Sequence, residues 1–263
     1  MYRPKDDDFV FDHTKIILRA ANDEYFYVTT SQRAFGPEEI DVTELDTTRI
    51  PADHVFPLAD FEFTRAPDPL PSTAYLKRPN FLRYETSSDN SDYGRQILTE
   101  VEACEVLRMH PHPNIVQYLG CVVRDGRITG LGFAKYSLTL EDMLEDGTSF
   151  NTACCLRGIE AGVRHMHSLG LVHNDLNPSN IMMEGDNPVI IDFDSCKPEG
   201  AEMGCKGGTD GWTLDGEDYA RRENDLYSLS KIRAALKDAD DTRSNSQAVL
   251  YLRPQAIDLP SLG

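Results

Sequence analysis

No run of apolar residues in this 263-residue chain approaches the roughly 18 that a transmembrane helix needs, so a bilayer-spanning helix is not expected. The N-terminus, Met1-Tyr2-Arg3-Pro4-Lys5 followed by three aspartates, has no apolar core of a signal peptide. Positive charge is scarce: 26 Lys and Arg stand against 44 Asp and Glu, a net charge of −18, which argues against nucleic acid as a partner. The six cysteines (104, 121, 154, 155, 196 and 205) include no C-x-x-C pair and no metal-like spacing, and they read as reduced thiols of a cytosolic or nuclear protein. A glycine-rich phosphate loop, G-x-G-x-x-G, is absent from the first seventy residues; the turn Ala66-Pro67-Asp68-Pro69-Leu70-Pro71 is stiff and offers few N–H groups to a phosphate. What remains is ordinary for a folded protein. Hydrophobic residues make up 40% and charged residues 27%, and the length can bury a sizeable core as one large domain or two lobes.

The chain is organised around His173-Asn174-Asp175-Leu176-Asn177-Pro178-Ser179-Asn180, answered by Asp192-Phe193-Asp194. Pro178 keeps the first segment out of regular helix. Two apolar runs follow, Ile181-Met182-Met183 and Val189-Ile190-Ile191, joined by the turn Glu184-Gly185-Asp186-Asn187-Pro188. A hairpin built from them carries Asn180 and Asp192 to the same end. An amide oxygen and a carboxylate there are hard ligands of the kind magnesium prefers, and Asp175 stands close by to accept a proton. Phosphoryl transfer needs this set of groups: metal ions over the phosphates and one base for the attacking hydroxyl.

These two segments resemble the catalytic loop H-R-D-x-x-x-x-N and the D-F-G segment of the eukaryotic protein kinase superfamily. His173, Asp175, Asn180, Asp192 and Phe193 match; Asn174 stands where the family has Arg, and Asp194 where it has Gly. His112-Pro113-Asn114-Ile115-Val116 resembles the turn and strand after the family's αC helix, and Glu223 to Leu229 resembles the start of its αF helix. The resemblance implies an α+β, two-lobed fold, with a small, mostly β N-lobe holding one long helix and a mainly helical, truncated C-lobe. The expected division is an N-terminal extension at 1–60, an N-lobe at 61–134 and a C-lobe at 135–263. It further implies ATP and Mg2+ as cofactors, a protein substrate, Asp175 as base, and Asn180 and Asp192 as magnesium ligands. Ala134 and Tyr136 are the expected adenine-binding backbone, with Phe133 behind them.

Along the chain, Ile16 to Leu18 and Tyr25 to Val28 read as strands, Ile50 to Leu58 as loop, and Phe61-Glu62-Phe63-Thr64 as an alternating strand. Ala74-Tyr75-Leu76-Lys77 is similar to the family's strand ending in the phosphate-contacting lysine, which makes that residue Lys77. Residues 95–109 carry Ile97, Val101, Cys104 and Leu107 at helical spacing. Its apolar neighbours favour Glu100 as the partner of Lys77, although spacing to His112 suits Glu102 better. Val116–Val123 and Ile128–Ala134 form a hairpin, and Leu138 to Leu144 a short helix. Residues 150–168 form a helix with Leu156, Ile159, Val163 and Met166 on one face and Gly170 as its stop. His165 and His167 read as helix-surface residues, and His173 as a packing and hydrogen-bonding residue. Residues 204–212 resemble the activation segment without its A-P-E, Glu217 being a weak stand-in. By resemblance Asp225 holds the catalytic-loop backbone, above a buried stripe of Leu226, Leu229, Ile232 and Leu236.

The departures open two rivals. A pseudokinase, a binding module without turnover, is favoured by the missing glycine loop. The H-N-D and D-F-D variants also resemble choline and aminoglycoside kinases, which act on small alcohols. The retained Asp175, Asn180, Asp192 and Lys77, with the H-P-N-I-V segment, favour a divergent protein kinase-like phosphotransferase, directed at Ser/Thr rather than Tyr. The sequence carries no signal for oligomeric state.

Overall fold

The computed structural model describes residues 2–5, 8–33, 36, 40–41, 45–84, 91–203, 208–214 and 216–251. In chain order come β1 (Tyr2–Lys5), β2 (Asp8–Phe11), β3 (Thr14–Arg19), β4 (Tyr25–Thr30), β5 (Thr48–Ile50), α1 (Ala52–Val55), β6 (Ala74–Lys77) and α2 (Ser91–Met109). β7 (Tyr118–Arg124), β8 (Arg127–Ala134), β9 (Leu138–Thr139), α3 (Leu140–Glu145), α4 (Thr152–Ser168) and β10 (Leu171–Val172) follow. β11 (Ile181–Glu184), β12 (Asn187–Ile190), β13 (Lys197–Pro198) and α5 (Arg222–Tyr251) complete the order. The fold is α+β and divides into two units. Met1–Pro71, Leu76–Val101 and Leu119–Gly132 form one; Ser72–Tyr75, Glu102–Tyr118 and Phe133–Gly263 form the other. The first is rich in strands and the second in helices.

In the first unit β3, β4 and β5 make an antiparallel sheet, with Ile16 opposite Val28 and Tyr25 opposite Ile50. A second sheet has the order β6-β8-β7. Its β7–β8 connection is Asp125-Gly126, both at positive φ (49° and 75°), the two-residue turn whose twist matches that of paired strands. Two expectations fail here. Phe61 to Thr64 is a turn rather than a strand: Asp60 Oδ1 accepts the Glu62 N–H at 3.0 Å, a local bond that competes with a ladder, and Phe61 is 90% exposed. Ile50 to Leu58 holds the short helix α1 instead of being all loop. After the turn, residues 64–66 lie against β7, with Ala66 N donating to Cys121 O at 2.9 Å and Cys121 N to Thr64 O at 2.7 Å. Gly120 permits this approach: at φ +126° a Cβ there would meet Ala66 N and the Arg65 carbonyl carbon at 2.5 Å.

In the second unit α4 buries Cys155, Ile159, Val163 and Met166 and packs on β12 and α5, while Leu156 is half-buried. Asn151 caps the helix, its side chain accepting the Cys154 N–H at 2.9 Å, and Gly170 at φ +74° ends it. His167 is not on the surface. It is 8% exposed, and its burial continues the stripe of Ile159 and Val163 by one further turn. α5 buries Leu229, Ile232 and Leu236, but Leu226 is 54% exposed, because Asn224, Asp225 and Ser228 take the inward positions at its start. None of the described cysteines is in a disulfide; Cys205 lies outside the described residues. Among the described residues no helix is long and apolar enough to cross a membrane.

Candidate active site

The catalytic loop is held from below by one buried carboxylate. Asp225, fully buried near the start of α5, accepts the His173 N–H on Oδ2 at 3.0 Å and the Asn174 N–H on Oδ1 at 2.9 Å. His167 Nε2 meets the same Oδ2 at 2.8 Å, so α4, the loop and α5 share one acceptor. A charged acceptor with three buried partners is among the stronger arrangements a core holds. His173 is fully buried, with its ring edge-on to Phe193 at 5.7 Å and Nε2 donating to Ile191 O at 2.9 Å.

Asn174 fills the position of the family's arginine without a charge. Its φ of +65° lies in the left-handed region, where Asn is enriched over longer side chains. The 1% exposed amide donates to Val172 O (3.1 Å) and Ser195 O (3.0 Å) and accepts from Asn224 Nδ2 (3.0 Å).

Asp175 is half-buried, and its two oxygens differ. Oδ1 accepts from Thr209 N at 2.8 Å, Thr209 Oγ1 at 2.7 Å and Asn177 Nδ2 at 3.1 Å. Oδ2 accepts from Asn180 Nδ2 at 3.3 Å. Asn177, 3% exposed, also caps the short 3-10 turn Pro178–Asn180, its Oδ1 accepting from Ser179 N and Asn180 N. One amide therefore orients the Asp175 carboxylate and the turn that carries Asn180. Gly208 allows Thr209 to reach the loop, since a Cβ on it would lie 2.7 Å from Asn174 O.

β11 and β12 pair antiparallel with Ile181 opposite Ile190, and Ile191 N donates to Asn180 O at 3.0 Å. Asn180 and Asp192 thus sit at the open end of one hairpin. Asn180 directs its amide nitrogen to Asp175 O at 2.8 Å, which leaves its carbonyl oxygen as the end to offer a cation. Asp192 stands at φ +63°, with Oδ1 at 3.5 Å from Asp194 N; the Asp194 carboxylate accepts from Ser195 Oγ at 3.2 Å. One amide oxygen and one carboxylate suit magnesium, which keeps much of its water and takes few protein ligands. Among the described residues no group of three or more His, Cys, Asp or Glu is arranged to hold a metal ion.

In the first unit Lys77 Nζ donates to Glu100 Oε1 at 2.6 Å, with Glu100 5% exposed, whereas Glu102 is exposed. At the other expected positions the Ala134 N–H donates to Gln117 O at 2.9 Å, so its carbonyl is what it can offer a base. Tyr136 is half-buried, and burial, with the Glu184 carboxylate, raises its hydroxyl pKa. Cys155, against Met183 Sδ at 3.9 Å, has its thiol pushed up to about 12 by burial and by Cys154 and Asp186, so it is no nucleophile. A cavity of about 580 Å³ lined by Leu107, His112, Ile115 and Tyr118 borders none of these residues.

Sequence reasoning missed Thr209, Asn224 and His167 as partners of the loop. His167 had a signal, as the next member of the α4 stripe. No spacing rule links Thr209 to a residue 34 positions earlier.

Asp175 and Asn180 on a loop anchored to a long helix by Asp225, with Asp192 at the end of the following hairpin, are the arrangement of a protein kinase-like domain. The sequence profile of the protein kinase domain family matches residues 81–236, more than half of the chain, and the chain belongs to that family. It is 28% identical over 180 residues to the serine/threonine-protein kinase/endoribonuclease IRE1 of Hypocrea jecorina, covering 58% of this chain and 14% of that protein. It is 30% identical over 113 residues to the nitrogen permease reactivator protein of Saccharomyces cerevisiae, covering 42% of this chain and again 14% of the relative. Among solved structures, the yeast RNA Pol II CTD kinase CTDK-1 complex aligns with a TM-score of 0.49 at 16% identity, over 63% of this chain and 55% of that one.

Proposed function

We propose that the chain is an ATP-dependent phosphotransferase that moves the γ-phosphate to a protein hydroxyl, serine or threonine rather than tyrosine. The observation that carries this reading is the fixed Asp175. Three donors hold its Oδ1, while Oδ2 meets only the Asn180 amide among the bonds described above. Oδ2 is then the oxygen that accepts the substrate proton as the hydroxyl attacks. Asn180 and Asp192 would hold magnesium, which supplies neutralisation of phosphate charge when bound. Lys77, oriented by Glu100, contacts the phosphates, and the backbone at Ala134 and Tyr136 binds the adenine. With Asn174 turned inward and neutral, activity does not depend on phosphate in the segment after Asp194. Reduced cysteines fit a cytosolic or nuclear setting, and the acidic surface fits a protein partner rather than nucleic acid.

The pseudokinase reading keeps one specific support: no G-x-G-x-x-G stands in the first seventy residues, and the nearby turn, residues 66–71, is rich in proline. Thermal unfolding with Mg-ATP tests the nucleotide site. Saturating ligand at a hundred times its Kd stabilises the native state by about 2.7 kcal/mol, and the shift is expected to vanish in Asp192→Ala. No shift in the wild type would leave a binding module without nucleotide.

A further inference from the structure

We infer that the β3–β4–β5 sheet and α1 brace the N-terminal half of α2 and so set Glu100 against Lys77. β3, β4, β5 and α1, between residues 14 and 56, lie ahead of the family match, which begins at 81. Two lines of aromatic rings run from β4 to one residue of α2. Tyr25 meets Phe81 edge-on at 5.0 Å, and Phe81 meets Tyr93 at 5.6 Å. Tyr27 meets Tyr84 at 5.7 Å, and Tyr84 meets Tyr93 at 6.2 Å. Phe56, just past α1, closes the first line against both Tyr25 (5.9 Å) and Phe81 (5.6 Å).

Tyr93 precedes Glu100 by seven residues, almost two full turns, so both lie on one face of the helix, with buried Ile97 between them. The start of α2 also touches the brace directly: a Cβ on Gly94 would lie 3.7 Å from that of Pro57. Polar contacts fix the rings. His54 Nδ1 is 3.2 Å from the Tyr84 hydroxyl, and Lys15 donates to the Tyr84 carbonyl while standing over the Tyr27 ring. The brace is tied to the Lys77 side as well. Ile128 N donates to Pro57 O at 3.0 Å and Arg127 to Phe56 O at 2.7 Å, and β8 is the neighbour of β6. Both members of the ion pair are thus referenced to one aromatic frame. Edge-to-face rings add orientation to burial, which a plain aliphatic core does not.

The importance of the ion pair rests on the proposed nucleotide site, but the brace is tested apart from it. Acylation of Lys77 by an amine reagent, read by mass spectrometry on the full chain without nucleotide, reports the pair; exposed Lys231 serves as internal control. Tyr93→Ala and Tyr27→Ala are expected to raise the Lys77 rate roughly 2- to 10-fold, the population change that loss of such ring pairs permits. Each is expected to add nothing in a Glu100→Gln background, because it acts through that residue. Tyr27→Leu, which keeps apolar bulk, replaces any alanine variant that lacks the wild-type circular dichroism. An unchanged Lys77 rate in folded variants, or a rise that multiplies with that of Glu100→Gln, overturns the brace. The expected labelling without any Mg-ATP shift would uphold the brace and refute the nucleotide site.

Discussion

The two units hold their candidate residues by different means. In the second, the loop from His173 to Asn180 is fixed by hydrogen bonds from every side, and nearly all of them come from amides, hydroxyls and backbone around the single buried carboxylate of Asp225. In the first, one ion pair is positioned by aromatic packing. The position where the family keeps an arginine in this loop carries Asn174, Asn177 follows three residues on, and both amides are buried and multiply bonded. Hydrogen bonding has replaced charge where the loop needs shape. The first unit has no G-x-G-x-x-G in its first seventy residues yet keeps the Lys77–Glu100 pair. The difference teaches that the loop carrying Asp175 is held by a dense polar network, while the Lys77–Glu100 pair depends on packing around it.

The comparison breaks most sharply at Asp225. Asp225→Ala leaves three buried donors without an acceptor and is expected to destabilise the fold by about 3–5 kcal/mol in urea titration. At low urea, amide exchange at 173 and 174 is expected to rise while Lys77 acylation stays unchanged; parallel changes in both would show that the units do not hold their sites independently. Asn174→Arg, which restores the family residue, comes next. It removes three amide bonds at 1% exposure and puts a long side chain at φ +65°, and is expected to destabilise by about 2–3 kcal/mol. An arginine variant as stable as the wild type would mean that the amide network contributes little.

The second unit was the more legible in sequence because its signals are dense and local. Helical spacing gave α4, the turn at Gly185 gave the β11–β12 hairpin, and Asp225 followed from its place in the αF-like segment. Reading Leu226 as buried failed because three polar residues, bonded to the loop and to Trp212 O, displace it from the inward face. In the first unit β3 and β4 were readable from their β-rich runs, but their role was not. A cluster joining residues 25, 56, 81 and 93 is set by tertiary packing, with no period in the chain to announce it. Phe61 to Thr64 had strand alternation yet forms a turn, since an Asx bond from Asp60 and the prolines after Ala66 win locally.

The smallest expected effect is one of pH, and it belongs to the second unit alone. His112 and His165 stack with ring centroids 4.7 Å apart, His112 accepts the Asn114 N–H on Nδ1 at 3.2 Å, and His165 Nε2 meets His110 O at 2.7 Å. Burial, and after it the neighbouring His165, lowers the His112 pKa below its ordinary 6.5. The native state therefore binds this proton less readily than the unfolded chain. Its contribution is fully present above pH 6.5 and is lost as pH falls from there through the folded value. Glu24 and Asp142, whose pKa values are lowered from 4.5 and 3.8, lose theirs only further down, so the two ranges separate. The urea midpoint of the wild type is expected to fall between pH 7 and 5.5, and that of His112→Gln to fall less. Equal slopes would assign the loss to other groups. A matching rise in Lys77 acylation over the same range would carry the effect into the first unit, against the independence that the comparison implies.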